Sequence, residues 1–275
     1  MSPLSAPPVV AADDEASAAA FAALPRIYGR RASAFLPRLR VCVVGVGGVG
    51  SWAAEALVRT GVGHVTMIDH DDVSAGNINR QLHALEDTVG HSKVELMRER
   101  LLRISSACEV VAVDDFLAEK NLERHLEHGF DAVIDAIDSI RFKAALIAFC
   151  RRRKIRVVTT GGAGGRVDPL GIVVGDLSRT RGDALAAKVR SRLRAEYGFS
   201  SNPKRSFGVD CVHSREQPRY PDGSGGLTQA KPGVPGARLD CEAGYGSVVF
   251  VTATFGFVAA SRALARALDA RLRAP

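Results

Sequence analysis

From residue 40 onward, short apolar runs alternate with longer stretches in which apolar residues recur at helical spacing. The runs Arg40–Val44, His64–Ile68, Val110–Val113, Ala132–Ile134 and Arg156–Thr160 are brief and largely β-branched, so they predict strands. Between them, Val49–Arg59, Lys93–Ile104, Leu117–His128 and Ile140–Lys154 carry the helical pattern. Strands that alternate with helices pair in parallel through right-handed crossovers. The predicted class is therefore α/β, a doubly wound, mainly parallel sheet of Rossmann type, with ligands at the carboxyl ends of its strands.

After "GDLSRTRGD" the pattern changes. A basic helical stretch, "ALAAKVRSRLRAEYG", is followed by a Pro- and Gly-rich region from Ser200 to about Gly246, where the alternation is lost. Residues 243 to 261, "AGYGSVVFVTATFGFVAAS", carry no charge over a length close to that of a membrane span. Their continuation "RALARALDARLR" is amphipathic, which favours a buried C-terminal helix over a span. The organisation expected is one domain over 21–275. Its nucleotide-binding part covers about 38–175, and a loop-rich, substrate-specific part covers about 176–275. Residues 1–20, "MSPLSAPPVVAADDEASAAA", read as a disordered tail and not as a signal peptide.

Composition adds two constraints. With 275 residues and 46% hydrophobic content, a sizeable core can form, and a formal net charge of +7 favours an anionic partner such as nucleic acid. The five cysteines, Cys42, Cys108, Cys150, Cys211 and Cys241, include no C-x-x-C pair, so a structural zinc site is not expected. Scattered thiols, two of them inside apolar patterns, suit reduced core residues in a cytoplasmic protein.

The chemistry begins at "VCVVGVGGVGSW". Gly45, Gly47 and Gly50 meet the G-x-G-x-x-G spacing between a predicted strand and a predicted helix, with Gly48 inside the turn. Such a turn lets backbone approach phosphate, and the helix N-terminus faces the anion. Asp69 ends the second strand 24 residues after Gly45, where a carboxylate can accept from ribose hydroxyls. Turn and acid alone leave two ligands open, a redox dinucleotide and ATP. The segment "DHDDVSAGNINRQ" then places Asp71, Asn77, Asn79, Arg80 and Gln81 just beyond the second strand, where polar and cationic groups can reach a triphosphate. Lys93 begins the next helix and supplies a second cation. Asp138, read as ending a strand in "VIDAIDS" beside Ser139, supplies a carboxylate suited to magnesium. "DHDD" does not make a calcium loop, because Val73 stands where that pattern needs an oxygen ligand.

The run "GVGGVGSWAAEALVRTGVGHVTMIDHDDVSAGNINRQ", with "VGHSKVE" and "DAIDS", resembles the nucleotide-binding fold of the ubiquitin-activating superfamily, which includes the ThiF and MoeB adenylyltransferases. The resemblance implies ATP as cosubstrate, with Gly48, Asp69, Asn77, Arg80, Lys93 and Asp138 in the ATP-binding set and Asp138 at the magnesium position. "RIYGR", "DAIDSIRFKAALIAFCRR", "VVTTGGAGGRVDP", "FGVDCVHS" and "VTATFGFVAA" are similar to the tRNA threonylcarbamoyladenosine dehydratase branch, over about Arg26 to Ala260. That branch implies adenylation of the threonine carboxylate of a modified adenosine, followed by ring closure with loss of AMP. It also implies a tRNA partner and a homodimer.

Several residues stay open at this point. Cys211, Cys241 and His213 are each compatible with a catalytic role and with ordinary packing. Arg151, Arg152, Arg153 and Lys154, with Arg179, Arg181, Lys188, Arg190, Arg192 and Arg194, are candidates for tRNA phosphates and equally for solvated faces. The chain reads "AFAALPRIYGR" where the dehydratase branch tends to carry an arginine-phenylalanine-glycine-glycine stretch. Arg26 and Arg30 are then substitutes, by position only, for an arginine reaching a neighbouring subunit's triphosphate. The rival readings are an adenylyltransferase for a sulfur-carrier protein within a sulfur relay, a dinucleotide-dependent oxidoreductase, and an RNA-binding scaffold. The missing zinc cysteines argue against the first, and the Asn77-to-Gln81 cluster argues against the second. The intact polar set argues against the third.

Overall fold

A computed structural model describes residues 19–127, 129–230 and 246–273. Seven strands form one sheet: β1 (Arg40–Val44), β2 (His64–Asp69), β3 (Glu109–Asp114), β4 (Ala132–Asp135), β5 (Val157–Thr160), β6 (Ile172–Asp176) and β7 (Asp210–Ser214). Their order is β3-β2-β1-β4-β5-β7-β6, with β6 antiparallel to β7 and every other pairing parallel. A two-residue ribbon, β8 (Tyr220–Pro221) with β9 (Leu227–Thr228), lies apart from it.

The helices, in chain order, are α1 (Leu24–Tyr28), α2 (Arg30–Ser33), α3 (Gly50–Arg59), α4 (Lys93–Ile104), α5 (Leu122–Leu126), α6 (Ile140–Arg152), α7 (Ala184–Glu196) and α8 (Val249–Arg273). Strand alternation splits the core in two. Val41 and Val43 face the layer of α3, α4 and α8, while Cys42 and Val44 face that of α5, α6 and α7. Burial on both faces is why the strands read as unbroken apolar runs.

The chain winds outward from β1 through β2 to β3, then returns to place β4 on the other side of β1. Crossovers from β1 and β4 therefore leave in opposite directions, and a crevice opens between their carboxyl ends. Into it run the glycine turn after β1 and the linker after β4.

Four features differ from the sequence expectation. The helix expected over Leu117–His128 is helical only over Leu122–Leu126, and His128 lies outside the described residues. Asn121 accepts from the Ala118 amide at 2.7 Å and donates to the Phe116 carbonyl at 2.9 Å, offering the backbone an alternative to a helical turn. Asp138 does not end a strand: β4 stops at Asp135, and Asp138 stands in the linker before α6. β6 was not anticipated. β7 falls inside the supposed loop region, fully buried although three of its residues are polar, because Asp210 is held by Arg262 and Arg266 of α8 at 2.7 Å each. Burial alone would raise the Asp210 carboxyl, but the bonds from Arg266 and Arg262 bring it below its ordinary value.

Of the uncharged C-terminal stretch, residues 243–245 lie outside the described residues, and residues 249–261 form the first half of α8, a helix long and apolar enough by composition to cross a membrane. It packs on α3 and the sheet through Val251, Phe255, Ala259 and Ala263. Gly256 makes this possible, since a Cβ there would lie 2.5 Å from the Val49 carbonyl. Of the tail, residues 1–18 lie outside the described residues, and Ala19 and Ala20 are helical.

Candidate active site

Gly45 follows β1 with φ +86°, and a Cβ on it would lie 2.9 Å from the Ala136 carbonyl oxygen; one on Gly50 would lie 1.8 Å from the Gly45 carbonyl oxygen. Only glycine fits at either place, so the turn folds tightly under the N-terminus of α3. Asp69 fixes its far side. One carboxylate oxygen accepts from the Val46 amide at 2.5 Å and the other from the Asp71 amide at 3.0 Å. The residue expected to hold a ribose thus also braces the turn.

The loop after β2 doubles back on itself. Val73 donates to the His91 carbonyl and the Lys93 amide donates to the Asp71 carbonyl, which delivers Lys93 to the end of β2. Its ammonium is buried and donates to Asp71 Oδ2 at 2.7 Å, while the Asp71 side chain is half exposed. Asp69, His70 and Asp71 stand close enough together to suggest a cation site, but both carboxylates are already engaged by the turn and by Lys93.

Arg80 lies against the turn from above: a Cβ on Gly48 would lie 3.1 Å from its Cγ. Its guanidinium donates to the Gly76 carbonyl at 2.7 Å and to Asn79 Oδ1 at 3.1 Å. The loop is tied to α3 by Trp52 Nε1, which donates to the Arg80 carbonyl at 3.0 Å, and to the segment entering α8 by Asn79 Nδ2, which donates to the Ser247 carbonyl at 2.8 Å. Asn77 is buried and accepts from the Ser74 amide. Gln81 is 6% exposed, and its Oε1 has no partner among the described residues. The Gln81 amide lies beside Gly47, its Nε2 3.8 Å from where a Cβ there would stand, and an unpartnered buried carbonyl oxygen on it fits a site that is completed by a polar ligand.

Asp138 is exposed and makes no hydrogen bond among the described residues. Ser139 occupies the N-cap position of α6 without a capping bond from its side chain. The linker carrying both is locked to the turn, because the Ala136 amide donates to the Val44 carbonyl at 2.9 Å. Contacts thus join Gly45 and Gly48 of the turn with Asp69, Asp71, Lys93, Asn79, Arg80 and Gln81, while Asp138 and Ser139 reach the same end of the sheet through their linker, whose first residues Ala136 and Ile137 meet Val44 and Gly45. The free hard-oxygen donor of Asp138 suits a magnesium ion.

This geometry has counterparts of known structure and sequence. The model of the ThiF family matches residues 21–270. The chain belongs to the ThiF family. It is 52% identical to the tRNA threonylcarbamoyladenosine dehydratase of Escherichia coli (strain K12) over 89% of this chain and 91% of that one. It is 46% identical to the Haemophilus influenzae protein of the same name, over 90% and 93% of the two chains. The crystal structure of the E. coli dehydratase in complex with ATP superposes with a TM-score of 0.83 at 47% identity, covering 97% of this chain and 100% of that one.

Other residues of this ThiF-family chain fall outside the crevice. Cys211 is fully buried in β7, and burial pushes its thiol well above the ordinary range. Cys241 lies outside the described residues. His213 is buried, and burial lowers its pKa. Arg190 donates to Thr180 Oγ1 and to the Leu177 carbonyl, so its guanidinium is used within the fold. Arg153 pairs with Glu123 and lies over Phe149. Arg151 lines a groove of about 460 Å³ with Lys154, Arg156, Arg266 and Arg273. Arg151 and Arg152 also border a hollow beside Tyr197 and Phe199.

The segment bearing Arg26 and Arg30 packs at the far end of the sheet. Leu24 meets Gly61, just past the end of α3, and Arg31 donates to the Leu272 carbonyl. Leu272 is twenty residues along α8 from Thr252, which touches Gly48, a distance of about 30 Å at helical rise.

Sequence reasoning missed Asp135, Lys143 and His83, all buried. Lys143 carried a faint signal, a lysine on the apolar face of a helix. His83 carried none.

Proposed function

We propose that this chain dehydrates N6-threonylcarbamoyladenosine in tRNA at the expense of ATP. The observation that supports the reading is the packing of Arg80 on Gly48 of the glycine turn, with Lys93 held by Asp71 beside the Asp69 that braces that turn, in a chain similar over nearly their full length to proteins named for that activity. An oxygen of the threonine carboxylate attacks the α-phosphorus, the bond to the β-phosphate oxygen breaks, and pyrophosphate leaves. An atom of the adjacent carbamoyl group then attacks the activated carbonyl. AMP departs, and the closed ring has lost the elements of one water. The second step is intramolecular, with an effective molarity on the order of 10⁵ M or more, so no enzyme nucleophile is needed. That agrees with Cys211, which burial keeps protonated.

The turn's amides and the α3 N-terminus hold the phosphates. Arg80 and Lys93 offset the negative charge that otherwise keeps a carboxylate from approaching phosphorus. Asp138 would hold magnesium, which when bound supplies further charge neutralisation at the phosphates. Arg26 and Arg30, about a helix length from their own turn, suit a homodimer in which they reach the partner's site. The groove of Arg151, Lys154 and Arg156 suits tRNA phosphates. The four described cysteines are unpaired and buried, in keeping with a cytoplasmic protein.

The test is incubation with ATP, magnesium and tRNA bearing the threonylcarbamoyl mark, followed by mass spectrometry of the nucleosides. Loss of one water from that nucleoside is expected. Pyrophosphate release that depends instead on a sulfur-carrier protein would overturn the reading, as would binding of a nicotinamide dinucleotide in place of ATP.

A further inference from the structure

At the end of β4 lies a charge pair that this chemistry does not use. Lys143 and Asp135 are 1% and 0% exposed, with Nζ 2.9 Å from Asp135 Oδ2. The ammonium has three protons and three acceptors: that oxygen, the Asp135 carbonyl at 3.2 Å and Thr159 Oγ1 at 3.1 Å. Thr159 donates to Asp135 Oδ2 at 2.6 Å, and the Ile137 amide donates to Asp135 Oδ1 at 3.3 Å. Burial raises the Asp135 carboxyl against the opposing pull of Lys143.

An ion pair taken wholly out of water is a poor device for stability, because apolar side chains of similar volume generally serve as well or better. What it supplies here is placement. Asp135 is the last residue of β4, and Lys143 sits in the first turn of α6, its amide donating to the Ser139 carbonyl at 2.9 Å. The pair therefore ties together both ends of the linker Ala136–Ser139, which carries Asp138. The opposite side of the linker is set against Val44 and Gly45. Among the described residues the Asp138 side chain has no hydrogen-bond or ion-pair partner, so within them its position is set by the linker.

We infer that Lys143, with Asp135 and Thr159, is a positioning residue that fixes the Asp138 carboxylate relative to the glycine turn. The inference rests on the reading of Asp138 as the magnesium-side carboxylate. A displacement of about 1 Å at a reacting centre costs on the order of a hundredfold in rate, which is the scale on which such a clamp matters.

The test uses the full-length protein. D135N/K143M removes both charges together and strands neither; T159V and T159S remove and retain the hydroxyl. Amide exchange at residues 136–139 reads the linker without turnover, and binding of a fluorescent ATP analogue without magnesium reads the rest of the crevice. In D135N/K143M, exchange in the linker is expected to rise about tenfold or more. Its kcat should fall about tenfold to a hundredfold, and the magnesium concentration at half-maximal rate should rise, while magnesium-free analogue binding is retained. T159V should show the same pattern more weakly, with T159S close to the parent. If the double variant does not fold, the contrast of T159V with T159S decides by the same readouts. Wild-type exchange in the linker overturns the inference, and so does a fall in kcat with linker exchange and magnesium dependence unchanged. D138N separates the two levels. Unchanged magnesium dependence there removes the metal role of Asp138, while linker exchange in D135N/K143M still decides whether Lys143 positions it.

Discussion

Lys93 Nζ donates to Asp71 Oδ2 at 2.7 Å, joining the first residue of α4 to the loop at the carboxyl end of β2. The lysine is buried and its partner is half exposed, so the cation is held at the boundary between the fold and solvent. Removing it leaves a carboxylate that water can solvate. Lys93→Met is therefore expected to leave the thermal midpoint within a few degrees of the parent and to lower kcat about a hundredfold to a thousandfold. Paired thermal melts and single-turnover pyrophosphate release measure both, and parent-level turnover would remove the proposed role.

Arg80 lies against Gly48 of the turn and is proposed to face the phosphates there. Its guanidinium bonds lie within its own loop and are solvent-accessible, so Arg80→Ala should preserve the fold. Turnover should fall by at least about a hundredfold. Steady-state kinetics with modified tRNA decide it.

Gly256 lets α8 approach α3 directly beneath the turn. A Cβ would meet the Val49 carbonyl at 2.5 Å and Trp52 Cβ at 2.9 Å, and backbone cannot yield as a flexible side chain can. Gly256→Ala should cost about 1–3 kcal/mol in urea denaturation. It should also raise the KM for ATP, because Val49 belongs to the turn. Unaltered stability and KM would contradict this packing account.

His83 is 4% exposed. Burial, followed by the charge of Lys93, lowers its pKa from the ordinary 6.5 to about 4. Between those values the unfolded chain binds a proton that the folded chain does not, so this residue makes stability fall as pH drops from 6.5 toward 4. His83→Leu should flatten that acid limb. Denaturation midpoints measured at pH 7 and pH 5 test it, the parent losing more than the variant across the interval.

Much of the crevice was legible in the sequence because its parts are local. The glycine spacing is a backbone requirement, met within six residues, and Lys93 opens a helix whose predicted limits, Lys93–Ile104, match the observed ones. β7 was not legible. Its buried Asp210 is tolerated only through Arg262 and Arg266, more than fifty residues away, so no local pattern marks it as a strand. The shortened helix after β3 was missed for the opposite reason. Asn121 diverts the backbone through its own side chain, which apolar periodicity does not record.

By itself, the sequence determined that strands and helices alternate, that the turn after the first strand is built for phosphate, and which polar residues follow the second strand, since each depends on neighbours along the chain. Only the tertiary structure decided that Ala136 and Ile137, at the start of the linker carrying Asp138, meet Gly45, and that Lys143 and Asp135 pair across that linker. The order of strands across a sheet, and the burial that turns a lone lysine into half of an ion pair, are set by contacts between segments distant in the chain.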